Sequence, residues 1–144
     1  MCGICGIVNR HGTNAIVHLD NVRRMCQSMI HRGPDDEGVE VLNSACIGHR
    51  RLSIIDTSDL GKQPFLSEDK NLCLSANGEI YNFMSYRSEL EQKGCRFKSQ
   101  SDSEVILHGY RVDGVDVVDK LRGMFAFSIF DKSEQVLMLV RDRQ

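Results

Sequence analysis

Two apolar runs near the end of the chain, Met124 to Phe130 and Gln135 to Arg141, restrict the fold more than any other feature of the sequence. Neither alternates strictly between apolar and polar residues, so neither fits a sheet with one face in water. Both read as strands covered on both faces. The polar stretch Asp131 to Glu134 joins them as a hairpin turn. Strands early, helices mid-chain and this buried hairpin at the end predict a layered α+β domain with largely antiparallel pairing.

The rest of the chain supplies the other layers. Gly3 to Asn9 is a short apolar run that reads as a buried strand. Leu19 to Ile30 reads as a helix, with Val22, Met25, Cys26 and Met29 on one apolar face. Gly33 and Pro34 stop it. Gly38 to Leu42 and Ala45 to Arg50 form a predicted hairpin across Asn43-Ser44, and Leu52 to Asp56 reads as a further extended stretch. Thr57 to Pro64 is a polar loop. Asn71 to Ala76 is a predicted strand ending in the turn-prone pair Asn77-Gly78. Phe83 to Lys93 reads as a helix closed by Gly94. Ser101-Asp102-Ser103-Glu104 has the pattern of a capping box, with Ser101 as N-cap, opening a helix to about Val112. Val115 to Leu121 is a further short helix.

Composition excludes several function classes. The 144 residues fit one domain, and their 41% apolar content suffices for a core. A net charge of −2 gives no basic field for nucleic acid or an anionic membrane. The longest apolar run is far too short to span a bilayer. The start lacks the basic-then-apolar pattern of a secretory signal, so the expected compartment is the cytosol. There are six cysteines. Cys2 and Cys5 have CxxC spacing, but no second CxxC and no paired histidines follow, so no metal is expected. Cys26, Cys46 and Cys73 sit in apolar contexts and read as buried thiols.

Three groups of residues can carry chemistry. Removal of Met1 would leave Cys2 with a thiol and an α-amine on one residue. An α-amine titrates at about 7.7–8.0, so roughly a tenth to a fifth is neutral at pH 7, enough for a general base. The thiolate is the competent nucleophile, and an adjacent base removes the need for a catalytic histidine. Asn77 and Gly78 can offer a side-chain amide and a backbone N–H to a developing oxyanion. Arg51 can hold a carboxylate through two parallel hydrogen bonds, and Asp102, helped by Glu79, can hold an ammonium. Taken singly, each group has a plainer reading. Cys2 reads as a thiol on a frayed terminus, Asn77-Gly78 as a hairpin turn, Arg51 as a surface cation beside Arg50, and Asp102 as an acid in a first helical turn. His31 and His49 look structural, and His108 is most simply packing or surface.

Taken in order, the segments resemble one family. The start Met1-Cys2-Gly3-Ile4-Cys5-Gly6 is similar to the opening of class II glutamine amidotransferases. The segments His31 to Gly38, His49 to Asp56, Asn77 to Asn82 and Ser101 to Glu104 resemble those of asparagine synthases. Leu121 to Phe127 and Arg141-Asp142-Arg143 continue the pattern, so the resemblance covers essentially the whole chain. It implies a four-layer αββα N-terminal-nucleophile hydrolase sandwich of antiparallel sheets. It implies that Cys2 attacks the side-chain amide of glutamine, forming a glutamyl thioester and releasing ammonia, before water frees glutamate. Asn77 and Gly78 would form the oxyanion hole, and Arg51 would bind the α-carboxylate. Asp102 and Glu79 would face the α-amine, and the backbone of Leu52, Ser53, Ile54 and Ile55 would line the pocket.

Members of that family continue well past Arg143. They complete the glutaminase domain and add a second domain that activates aspartate with ATP and magnesium and receives the ammonia. Residues 1–144 are therefore expected to be a glutaminase domain incomplete at its C-terminus, needing no cofactor of its own. Its expected partners are glutamine and either a second copy of the chain or the missing synthetase region. The rival expectation is a catalytically silent folded fragment that serves in assembly or binding.

Overall fold

The computed structural model describes residues 1–10 and 14–143. Strand β1 (Gly3–Val8) leads through a short 3-10 turn into helix α1 (Leu19–Ser28), followed by β2 (Asp36–Leu42) and β3 (Ala45–Arg51). Strands β4 (Phe65–Leu66) and β5 (Leu72–Ile80) precede helices α2 (Phe83–Gln92), α3 (Glu104–Asp113) and α4 (Val117–Lys120). Strands β6 (Gly123–Asp131) and β7 (Val136–Arg141) end the described chain. Two antiparallel sheets result, ordered β1-β3-β2 and β4-β5-β6-β7.

Side-chain alternation explains the layering. On β6, Phe125, Phe127 and Ile129 pack with Tyr86, Leu90, Val105, Ile106 and Val117 of the helices, whereas Phe130 packs with Ala45 and Ile47 of the other sheet. On β3, Cys46 turns the opposite way, onto Val22 and Cys26 of α1. The order is therefore α1, first sheet, second sheet, α2–α4. This is the four-layer αββα arrangement expected, with the apolar-on-both-faces strand β6 at its centre.

Several local expectations are corrected. Leu52 to Asp56 forms no strand but a bend-rich loop. Strand β5 does not turn at Asn77-Gly78 but runs through both, with Gly78 opposite Phe125. The turn preference of Asn-Gly is overridden by nine residues of pairing with β6. Gly78 keeps its positive φ of 142° inside the strand, and a Cβ there would run into the backbone carbonyl of Met124. Ser103, not Ser101, precedes α3, and Glu104 accepts from the backbone of Lys98 and Ser99 instead of closing a capping box. Met25 lies off the buried face of α1, which is carried by Val22 and Cys26. Strand β7 is the outermost of its sheet, and its Leu139 is 70% exposed, so of these last two strands β6 alone is covered on both faces.

Candidate active site

A cavity of about 470 Å³ opens where the ends of β3 and β5 meet the amino terminus. That volume lies in the range of small-molecule sites. Every residue singled out from sequence borders it except Ser53, whose backbone N–H instead donates to Asp35 Oδ2 at 2.8 Å. His31 is exposed, and neither His31 nor His108 borders the cavity.

The amino terminus is held from three sides. The Leu52 N–H donates to Cys2 Sγ at 3.4 Å, and the thiol lies 3.7 Å from the Leu52 carbonyl. Arg32 Nε donates to the Cys2 carbonyl at 3.1 Å. Gly3 begins the ladder of β1 on β3, opposite Arg50. The sulfur therefore sits on the cavity wall within reach of a backbone donor.

Arg50 and Arg51 are not a pair of surface cations, since both are buried. Consecutive strand residues point to opposite faces. Arg50 donates to the Gly33 and Pro34 carbonyls and pairs with Glu37, fixing the loop that carries Arg32. Arg51 turns to the cavity. Its guanidinium donates to the carbonyls of Ser58 and Asp56 and so folds the loop after β3 around itself. Five N–H groups are available on a guanidinium, so these two bonds leave donors for a ligand. Asp56 fixes the same loop, accepting from Ser58 and from Gln100 N–H at 2.8 Å. Burial pushes its carboxyl up, but the hydrogen bonds from Ser58 and Gln100 and the nearby Arg51 together bring it below the ordinary value.

Strand β5 presents an open edge to the cavity. Phe125 exchanges backbone and side-chain hydrogen bonds with Asp142 on its β7 side. Its partner across the β5–β6 pair, Gly78, is therefore in a position whose N–H and C=O point away from β6. The same side of β5 carries the N–H groups of Ala76 and Ile80. Gln63 Oε1 takes the first at 2.7 Å and Asp102 Oδ2 the second at 2.7 Å. Strand β4 reaches only as far as Leu74. The Gly78 N–H thus faces the cavity between two edge donors already engaged. Asn77 borders the cavity beside it, and its side-chain oxygen is buried without a hydrogen-bond partner.

Asp102 is 5% exposed and Glu79 exposed, and both border the cavity. Burial raises the Asp102 carboxyl against the lowering effect of the Ile80 and Ser103 N–H groups, and Glu79 raises it further. A buried carboxyl in that state is stabilised as an anion by an incoming cation. With Arg51 on the same cavity, the walls carry both signs of charge.

Sequence reasoning missed Asp56, Gln63 and the β6 and β7 contributors Met124, Phe125, Ala126, Arg141 and Asp142. Asp56 had a signal in Asp-Thr-Ser, an Asx-turn pattern. Gln63 had none, since its contact is to a strand thirteen residues away.

The glutamine amidotransferase domain family matches residues 1–144. The chain is 43% identical over 143 residues to asparagine synthetase [glutamine-hydrolyzing] 1 of Bacillus subtilis, covering 99% of this chain and 22% of that protein. It is 37% identical over 142 residues to asparagine synthetase B [glutamine-hydrolyzing] of Escherichia coli, covering 25% of that protein. The chain thus spans about a quarter or less of the length of these two relatives. Its fold is similar to that of glutamine phosphoribosylpyrophosphate amidotransferase from B. subtilis, with a TM-score of 0.70 at 22% identity over 98% of this chain and 36% of that one. That likeness identifies the sandwich as the N-terminal-nucleophile hydrolase fold. Among the described residues, no helix is long and apolar enough to cross a membrane.

Proposed function

The chain belongs to the glutamine amidotransferase domain family, and from that premise we propose that it hydrolyses the side-chain amide of glutamine with Cys2 as the nucleophile. The observation that carries the reading is the position of Cys2 Sγ, which receives the Leu52 N–H on the wall of a cavity that the free edge of β5 also faces.

Glutamine is a zwitterion with an amide on a short arm. Arg51 would take its α-carboxylate with the donors not used on the loop, and Asp102 with Glu79 would take its α-ammonium. The backbone of Leu52 to Ile55 would line the side of the substrate. Once Met1 is removed, the α-amine of Cys2 accepts the thiol proton. Sulfur then attacks the amide carbon, and the tetrahedral oxyanion accepts hydrogen bonds from the Gly78 N–H and the Asn77 side-chain amide. That role turns the Asn77 NH₂ toward the reacting oxygen. The C–N bond breaks, nitrogen leaves with a proton returned through the α-amine, and a glutamyl thioester remains. Water attacks the thioester, releasing glutamate and restoring the thiol.

In this reading residues 1–144 use no cofactor. We further propose that the ammonia passes to an aspartate activated with ATP and magnesium in a synthetase region, a reading in keeping with relatives named asparagine synthetase [glutamine-hydrolyzing]. The compartment is the cytosol, and the protein partner is that region or a second copy of the chain. While Met1 stays attached, the Cys2 nitrogen is a peptide nitrogen and cannot serve as the base. A chain that retains Met1 is then a silent binding module. The test is glutamate release from glutamine by the chain after intact mass has shown Met1 to be absent. The expected result is turnover that disappears in Cys2→Ala. Turnover that persists in Cys2→Ala would overturn the assignment.

A further inference from the structure

The free edge of β5 raises the question of what holds Asn77 and Gly78 in place. Edge residues of a sheet are normally fixed by the next strand, but β4 pairs only with Cys73 and Leu74. Continued two residues, its register would set the Gln63 backbone opposite Ala76. Instead the Gln63 carbonyl lies against Gly38, where there is no room for a Cβ. The Ala76 N–H is taken by the Gln63 side chain at 2.7 Å, and the Ala76 carbonyl receives His49 Nε2 at 3.0 Å from the other sheet. Both backbone groups of the residue before Asn77 are therefore held by side chains rather than by a strand.

His49 is wholly buried. Its Nε2 faces a carbonyl, so Nε2 carries the hydrogen and Nδ1 is left as a buried acceptor without a partner. Such a group costs stability, and a well-packed apolar residue would avoid that cost. The imidazole gains only its bond to Ala76 in return. His49 also stands two residues before Arg51, on the same face of β3. Its bond to β5 therefore ties the strand that bears Arg51 to the strand that bears Asn77.

We propose that His49 and Gln63 are positioning residues that clamp the Ala76 peptide edge and thereby set where Asn77 and Gly78 present their donors to the cavity. The catalytic consequence rests on the glutaminase reading, but the clamp itself is a property of the fold. Loss of an oxyanion donor costs about 10²–10³ in kcat, and misaligning one costs part of that. The His49 variants separate the role from bulk packing. Gln places an amide nitrogen the same number of bonds from Cβ as Nε2 and reaches Ala76. Asn is one bond shorter and does not.

The test compares wild type, His49→Gln, His49→Asn and Gln63→Leu by amide hydrogen exchange at Ala76, with Phe127 as internal reference, and by glutamine kinetics. The expected result is exchange at Ala76 at least about tenfold faster in His49→Asn and Gln63→Leu, with Phe127 much less affected. Their kcat should fall about 10–100-fold with KM within about threefold, and His49→Gln should stay near wild type in both readouts. His49→Gln and His49→Asn behaving alike, or folded His49→Asn and Gln63→Leu exchanging as wild type does, would overturn the proposal. A wild-type chain without turnover would count against the glutaminase reading alone, since the exchange pattern still decides whether the clamp exists.

Discussion

Asp102 meets the cavity with one carboxylate oxygen already bound to the Ile80 N–H, so its charge and its structural bond can be separated. Asp102→Asn keeps an acceptor for Ile80 and removes the charge. The expected outcome is a KM for glutamine raised about 10–100-fold with kcat changed only a few-fold, because a charge-assisted hydrogen bond contributes about 1.5–3 kcal/mol to binding. Steady-state kinetics check this, and an unchanged KM would remove Asp102 from the ammonium site. At this scale the sequence was informative about which residues gather and uninformative about what fastens them. Cys2, Arg51, Asn77, Gly78, Glu79 and Asp102 all reach one cavity. Each had a plainer reading alone, and only their order along the chain, matched to a family, made the set legible. Gln63 stayed hidden because its bond to Ala76 spans 13 positions and follows no local pattern, and the Asx-turn pattern at Asp56 carries no hint of its bond to Gln100, 44 positions away.

Strand β5 shows how tertiary pairing overrides a local signal. Asn77-Gly78 has strong turn chemistry, yet both residues stay in register on β6 from Leu72 to Ile80. The glycine is needed for a different reason than a turn. Its φ is +142°, and a side chain would strike the Met124 carbonyl. Gly78→Ala is therefore expected to destabilise the fold by about 2–4 kcal/mol, seen as a large fall in thermal midpoint before any assay is run. A midpoint within a degree or two of wild type would mean the strand adopts another backbone there. The stretch Leu52 to Asp56 erred in the opposite direction. Its Leu-Ser-Ile-Ile composition has strand propensity, but it lies past the end of β3, and the bonds from Arg51 to Asp56 and Ser58 curl it into a loop. Helix positions fared better, because the helical period and the Gly94 stop are local signals.

For the whole molecule, the double-sided burial of β6 carried the architecture, since a strand covered on both faces needs the helices on one side and the first sheet on the other. The same burial makes stability depend on pH through His49, which sits between the sheets. Burial, more than the charges of Arg51 and Arg50, pushes its imidazole from 6.5 down to about 4, against the raising effect of the Ala76 carbonyl and Asp36. Above about pH 6.5 the ring is neutral both folded and unfolded, and its contribution is complete. As pH falls from there toward about 4, the unfolded chain takes up a proton that the folded chain refuses, and on the order of 3 kcal/mol is lost. Denaturant unfolding across that range should show a steeper decline for wild type than for His49→Gln; parallel curves would contradict it. The central claim is chemical, and it is tested most directly by catching the covalent intermediate. The chain, with Met1 shown to be absent, is mixed with glutamine, quenched in acid and digested for mass spectrometry. The account predicts a glutamyl group on the Cys2 peptide that disappears when the quench is delayed past substrate exhaustion. Glutamate formed with no adduct at Cys2 at any quench time, or an adduct on another cysteine, would contradict it.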